Sequence, residues 1–294
     1  SKAVIIADDG FENAWHSGNS SSRGLSISLD AGCQLRDLEF ISWNPLCIPD
    51  TELSLTVDIL QNGAKITTIS GTQIEITPDT TPNKLAFEIN KAGGTALLDA
   101  TSISKSAIEW YSGLRRAVKE RTGLDMFEQS IPISPRIEQT IGGLPVDEHG
   151  RVVKGNWNTW FTGLYSAGGA SCSGLNGTGI IAGNRLMEDL VGGSCAGMHA
   201  GKWIKNKNFS GTQSLNEALF SANAEISDMI SNANTNNTSS ISSIKSKLWN
   251  SITSNMGFER SSEGLQNAAK ILENLEAEIH KEELVDGNMI MNTN

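Results

Sequence analysis

The chain has no basic run, no long apolar run and no paired cysteines, and each absence removes a class of function. Its 294 residues carry 23 Lys+Arg against 33 Asp+Glu, a formal net charge of −10. That balance argues against broad nucleic-acid binding and against docking on anionic lipid. No apolar stretch reaches the ~18 residues that a spanning helix needs, so no direct transmembrane segment is expected. Cys33, Cys47, Cys172 and Cys195 are scattered, with no C-x-x-C pair. This is the pattern of reduced thiols in an intracellular protein, not of a disulfide framework or a zinc site, and no metal is expected. The start, SKAVIIADDG, lacks signal-peptide anatomy. The histidines, His16, His149, His199 and His280, sit in unrelated settings and are weak catalytic candidates.

What is present divides along the chain. Ala3–Ala7 is a short apolar run of the kind found in buried parallel strands. A short helix is expected over 20–33 and a strand over Leu38–Trp43. In residues 52–77, Leu53, Leu55, Val57 and Ile59 alternate with polar residues, and Asn62-Gly63 is a preferred hairpin pair. A three-stranded antiparallel meander is expected there. A helix around Lys84–Lys91 should stop at Gly93-Gly94, ahead of a strand at Ala96–Leu98. One amphipathic helix should cover Ser104–Thr122 and end at Gly123. Ile131–Pro135 reads as an extended linker, followed by short strands about a turn at Asp147–Gly150. Helices are expected over 212–231, 244–255 and 262–282, the last with a stripe of Leu265, Ala268, Leu272, Leu275 and Ile279. The Asn/Ser/Thr tract at 232–243 between the first two of these reads as a flexible loop. A parallel sheet needs more apolar strands than this chain holds. The region between 47 and 134 therefore looks like an insertion between two parts of one domain.

The most informative stretch is 161–203. A strand runs into Gly168-Gly169, more glycines follow at Gly174, Gly177, Gly179 and Gly183, and a helix rich in small residues runs from about Ala182 to Trp203. Glycines let backbone approach a ligand, and a helix start offers free N–H groups to an oxygen. The same spacing also suits a tightly packed strand-loop-helix with no ligand.

Taken together, KAVIIADDGF (2–11), LDAGCQLRDLEFISWNPLCI (29–48), LLDAT (97–101), IPISPRIEQTIGGLPVDEHGRV (131–152), GLYSAGG (163–169), GNRLMEDLVGG (183–193), NMGFERSSEGLQNA (255–268) and MIMNTN (289–294) resemble, in order and spacing, the flavoprotein subunit of succinate dehydrogenase and fumarate reductase, and more loosely the L-aspartate oxidases. The resemblance implies an α/β plus α+β fold: an incomplete FAD-binding domain (1–46 and 135–205) interrupted by a small capping domain with the meander (47–134), then a C-terminal helical region (206–294). It implies FAD as cofactor, completed by a segment missing from this chain, because the family's G-x-G-x-x-G phosphate loop has no counterpart here. The expectation is a fragment, one piece of a split subunit with a separate N-terminal FAD-binding half, or a degenerate relative. Implied partners are an iron–sulfur subunit and membrane-anchor subunits. The implied location is the cytoplasmic or mitochondrial-matrix side, peripheral on a membrane through those partners.

In that family a hydride moves between a dicarboxylate C–H and the flavin, and arginines and histidines clamp the carboxylates. The resemblance carries the two clamp histidines onto Asn44 and Asn176, the histidine of the return segment onto Glu138, and the clamp arginine onto Ile180. Arg185, one turn into the helix, is the candidate to compensate; a plain ion pair is the alternative for it, as for Arg136 with Glu138. The cofactor positions fall on Ala7, Gly10, Gly168, Gly169, Asn184 and Leu186, and the acids Asp8 and Asp9 in the first turn would repel a pyrophosphate unless they point away. Every cation of the clamp is thus replaced, and the expected activity is an FAD-dependent oxidoreductase with an altered substrate. The alternative is a non-catalytic structural subunit or degenerate paralogue within a respiratory complex.

Overall fold

The computed structural model describes residues 1–15, 22–155, 158–177, 179–181, 183–209, 211–231 and 241–279. His16, His280, Thr178, Ala182, the tract from 232 to 240 and the MIMNTN end lie outside these residues. The chain forms two compact units, Ile5–Asn13 with Ser17–Gly197, and Ser1–Val4 with Ala14–His16 and Met198–Asn294.

The larger unit contains a five-stranded antiparallel sheet among its described residues. Its order is β2 (Ile41–Cys47), β6 (Ile131–Thr140), β5 (Ala96–Asp99), β3 (Lys65–Thr68) and β4 (Gln73–Ile74). The helices α2 (Asp58–Gln61), α3 (Pro82–Lys91), α4 (Lys105–Trp110) and α5 (Ser112–Thr122) accompany it. The core of this region draws on Leu46, Ile59, Ile66, Leu85, Leu98, Val118 and Ile133, all from residues 46–133. Burying each such side chain contributes about 1.5–3 kcal/mol before entropy is counted.

Local chemistry explains the helix limits. Thr81 accepts from the Lys84 amide at 3.2 Å, Pro82 opens α3, and Gly93-Gly94 close it, with the Gly94 amide donating to Ile89 O at 3.0 Å. Gly123, at φ 73°, ends α5.

The expected meander is only partly present. Leu53–Ile59 is not a strand: Asp58–Gln61 is a helical turn, and Asn62 closes it. Asn62 Nδ2 donates to the Tyr111 hydroxyl at 2.9 Å, and that hydroxyl donates to Asp58 at 2.7 Å. These bonds favour a helix end over a hairpin turn at Asn62-Gly63. Tyr111 also divides the expected Ser104–Thr122 helix into α4 and α5. The expected linker is instead the first half of β6. Pro135 is accommodated because it falls where the β2–β6 register shifts, between Asn44↔Arg136 and Cys47↔Ser134, while Pro132 stands opposite Leu97 of β5.

The return segment supplies β7 (Leu144–Pro145), β8 (Arg151–Val153), β9 (Trp160–Ser166) and β10 (Ser171–Cys172). Strand β1 (Val4–Ile6) pairs with β9, which pairs antiparallel with β8; β10 pairs parallel with β7. The expected buried strand at Ala3–Ala7 is an edge strand, with Val4 46% and Ile5 41% exposed. Helix α1 (Arg23–Asp30) follows it, and α6 (Asn184–Trp203) carries the chain to the smaller unit. There α7 (Thr212–Ser231) is exposed from residue 212 to residue 228, while α8 (Ile241–Asn255) packs on α9 (Ser262–Ile279). Ile244, Ile252, Ala268 and Leu275 are buried, whereas Leu265 and Ile279 of the expected stripe are exposed.

Asp125 fastens α5 to the chain that follows it. Arg115 Nε donates to both carboxylate oxygens at 2.9 Å, and Lys119 Nζ lies 3.3 Å away. The Arg115 bonds hold its pKa down, from 3.8 to about 2. Because the folded value lies below the ordinary one, the stabilisation is complete above the ordinary value and disappears as pH falls through the folded one. Thermal unfolding should therefore show stability falling from about pH 4 toward about pH 2, and Asp125→Asn should flatten that decline while lowering stability at neutral pH.

Candidate functional site

Three segments converge in the larger unit: 8–12, 140–143 and 168–171. The Phe11 amide donates to Thr140 Oγ1 at 3.0 Å, and the Thr140 amide donates to Glu12 Oε1 at 2.9 Å. Ala170 N donates to Asp8 O at 2.9 Å. The approach requires glycine. A Cβ on Gly10 would lie 2.0 Å from Thr140 Oγ1, and one on Gly169 would lie 2.9 Å from Gly10 N. Gly10 is buried in this junction, while Gly168 and Gly169 are part-exposed and Ala7 is exposed.

Both acids of the first turn are engaged. Asp8 Oδ2 accepts from the Gly24 amide in the first turn of α1 at 3.0 Å, where the helix dipole favours an anion. Asp9 Oδ1 pairs with Arg185 Nη2 at 3.3 Å. The expected repulsion between this turn and an anionic cofactor is thereby weakened at Asp8 and offset at Asp9 by the guanidinium. Arg185 also acts on Glu138. Surrounding protein pushes the Glu138 pKa up, and Arg185 pulls it down. Arg185, Glu188, Thr140, Gly168 and Ile180 border a cavity of about 20 Å³, room for about one water.

Helix α6 begins after Gly183 at φ 86°, and Asn184 and Leu186 in its first turn are exposed. One turn on, Glu188 fastens the preceding glycine loop: Ser173 Oγ donates to one carboxylate oxygen and Asn176 Nδ2 to the other at 2.7 Å. Ala196 of α6 packs closely on the 147–150 turn, since a Cβ on Gly150 would lie 2.7 Å from its Cβ, whereas a Cβ on Gly193, Gly197 or Gly201 would meet nothing within 4 Å. Its apolar residues Leu186, Met187, Leu190 and Val191 are more than half exposed.

The other expected residues lie elsewhere or are otherwise engaged. Asn44 is buried, its Nδ2 donating to Leu55 O at 3.3 Å and its Oδ1 accepting from Leu46 N at 2.8 Å. Arg136 does not pair with Glu138; it donates to the carbonyls of Thr51, Glu52 and Leu53. Burial pushes the Cys33 and Cys47 thiols up, and burial with Asp37 beside it takes Cys172 to about 11. No group of three metal-ligating side chains occurs among the described residues. Sequence reasoning missed Glu188 and Thr140. The helical spacing of Glu188 from Asn184 was the only local sign, and nothing local marks Thr140.

Between the 57–85 region and the glycine loop lies a groove of about 1010 Å³. Val57, Leu60, Ile76, Asn83, Ile180 and Ile181 are among its walls. Asn83 is held by the Trp43 amide, which donates to its Oδ1 at 2.7 Å.

Residues 1–186 match the family model described as FAD binding domain. The L-aspartate oxidase of Pyrococcus furiosus is 33% identical over 202 residues, covering 65% of this chain and 41% of that protein. The succinate dehydrogenase flavoprotein subunit of Rickettsia bellii is 24% identical over 226 residues, covering 69% and 38%. This chain thus spans about two-fifths of the length of these curated relatives. Among solved structures, an E. coli quinol fumarate reductase FrdA chain superposes with a TM-score of 0.86 at 19% identity, over 99% of this chain and 54% of that one. Mycobacterium smegmatis Sdh1 gives 0.75 at 20% identity, over 99% and 50%. At such identities these likenesses establish the fold.

Replacing Glu188 by alanine removes the acceptor shared by Ser173 and Asn176. Amide hydrogen exchange over 173–177 should quicken, with a stability loss of about 1–3 kcal/mol. Unchanged exchange there would mean that the loop is held by other contacts.

Proposed function

The chain belongs to the FAD-binding domain family, and from that premise we propose that it supplies the second half of a flavin site, and the cap over it, in an FAD-dependent oxidoreductase akin to succinate dehydrogenase, fumarate reductase and L-aspartate oxidase. One observation carries the reading. The part-exposed Gly168-Gly169 turn and the open first turn of α6 belong to the junction where Arg185 pairs with Asp9. Free N–H groups at a helix start and a nearby guanidinium suit the carbonyl edge of a flavin ring. Exposed Leu186 and Met187 suit its apolar face.

In this reading Gly168, Gly169, Asn184 and Leu186 lie against the cofactor, and Ala7 stands at the end of β1 beside it. Gly10 acts by letting the turns meet. FAD supplies hydride acceptance and donation when bound. The protein orients it: Arg185 stabilises negative charge at the ring edge, and Glu188 holds the loop bearing Asn176. The phosphate-binding portion of the site would come from sequence outside this chain, whether in the same polypeptide or in a separate half. The cap is assigned to 47–134, the FAD-binding parts to 1–46 and 135–205, and the helical region to 206–294. An iron–sulfur subunit and a membrane-anchor subunit are the proposed partners, with the chain held at the membrane surface through them. No helix among the described residues is long and apolar enough to cross a membrane.

The positions inherited from the dicarboxylate clamp favour an altered substrate. Asn44 is closed on backbone and Ile180 is apolar. A desolvated carboxylate with no cation beside it costs several kcal/mol, on the order of 2–7 for an unpaired polar group and more for a charge. The same substitutions support the second reading, a non-catalytic subunit that keeps the fold for assembly.

The test is flavin binding by the chain in the longest polypeptide that carries it. The purified protein should show the visible flavin absorbance, and Arg185→Ala should weaken flavin binding about tenfold, the loss of one charge-assisted contact. Succinate and fumarate turnover should be negligible. A protein that never takes up flavin would sink the flavin reading; flavin bound without turnover on any acid or neutral substrate would favour the assembly role.

A further inference from the structure

The groove between the cap and the glycine loop has a chemical character that its dicarboxylate-using relatives do not explain. Its described lining holds one charged side chain, the carboxylate of Asp79, and no cation. An anion entering it would leave water, meet no positive partner and face a negative one. Arg185 does not remedy this: it borders the smaller cavity at the junction and is paired with Asp9. The walls are otherwise uncharged: Val57, Leu60 and Ile76 from the 57–85 region and Ile180 and Ile181 from the loop give aliphatic surface, set among neutral polar residues such as Gln61, Thr77 and Thr80.

A polar handle is also present. Ser42 on β2 is only 4% exposed, yet it opens onto the groove, and its hydroxyl makes no hydrogen bond among the described residues. The residue is nearly covered, but its hydroxyl is reached from the groove, where water or an oxygen of an occupant can pair with it. Asn176 adds a second: its Nδ2 is held by Glu188, which leaves its amide oxygen as an acceptor at the groove wall. The volume, about 1010 Å³, lies at the upper end of the ~300–1,000 Å³ usual for small-molecule sites.

We propose that this groove takes an uncharged, largely apolar small molecule bearing a ketone or hydroxyl oxygen, which pairs with the Ser42 hydroxyl. The occupant is the substrate if the flavin reading holds; the ligand class itself does not depend on that reading. Aliphatic walls select ring or chain carbon, the lone carboxylate rejects acids, and Ser42 sets the end at which the oxygen sits.

Prodan, an uncharged naphthyl ketone whose emission moves to the blue in apolar surroundings, tests this by fluorescence titration of the full chain. It should bind, be displaced by 2-decalone, and be unaffected by millimolar succinate. Ser42→Ala should weaken it about threefold to tenfold, and Ile76→Arg or Ile181→Arg, both at solvent-reached positions, at least tenfold. Phe220→Ser, on exposed α7, should change nothing. Displacement by succinate, or binding indifferent to Ser42→Ala and to both arginine variants, overturns the proposal. Flavin uptake is followed separately by absorbance. Prodan bound at the groove without flavin leaves the ligand class standing and removes the flavin reading; flavin bound with succinate competing does the reverse.

Discussion

The backbone contact of Gly10 with Thr140 and Gly169 is the constraint on which the larger unit depends. Three segments far apart in sequence meet there with no room for a side chain, and a Cβ on Gly10 would overlap the Thr140 hydroxyl. Thr140 ends β6, the strand whose other half, Ile131 and Ile133, lies in the cap core. One strand therefore ties the cap to the junction. Hydrogen bonds from Phe11 to Thr140 and from Thr140 to Glu12 hold that tie in a buried setting, where each polar group needs its partner.

Charge at the junction is organised by pairing. Asp8 caps α1, Asp9 meets Arg185, and Glu188 collects Ser173 and Asn176. Acidic residues that look hostile to an anionic cofactor are thus given local work. The aliphatic groove above the loop carries no such pairing. The one charge in its described lining is Asp79, and Ser42 opens a hydroxyl onto it. The two regions are chemically distinct: a polar junction suited to a flavin edge, and an apolar groove suited to a neutral molecule.

Much of the secondary structure was legible because its causes are local. Thr81-Pro82 opens a helix and Gly93-Gly94 closes it wherever they stand. The glycine turn and the start of α6 were legible for the same reason. The misreadings share one cause, tertiary override. Alternation at Leu53–Ile59 suggests a strand, but Asn62, Tyr111 and Asp58 close a helical turn there. Pro132 and Pro135 suggest a linker, but the β2–β6 register shift admits a proline in a central strand. The apolar run at Val4–Ile6 suggests a buried strand, yet among the described residues nothing covers Val4 and Ile5 fully.

The sequence by itself determined the family and much of the order of the elements, because motifs, caps and residue identity are properties of short stretches. Only the tertiary structure decided what the candidate site residues touch. It closes Asn44 on backbone, turns Arg136 to the carbonyls of 51–53, joins Arg185 to Asp9 and leaves Ser42 at the wall of an apolar groove. Those outcomes depend on which distant segments the glycine junction brings within hydrogen-bond reach, and no local pattern encodes a distance of that kind.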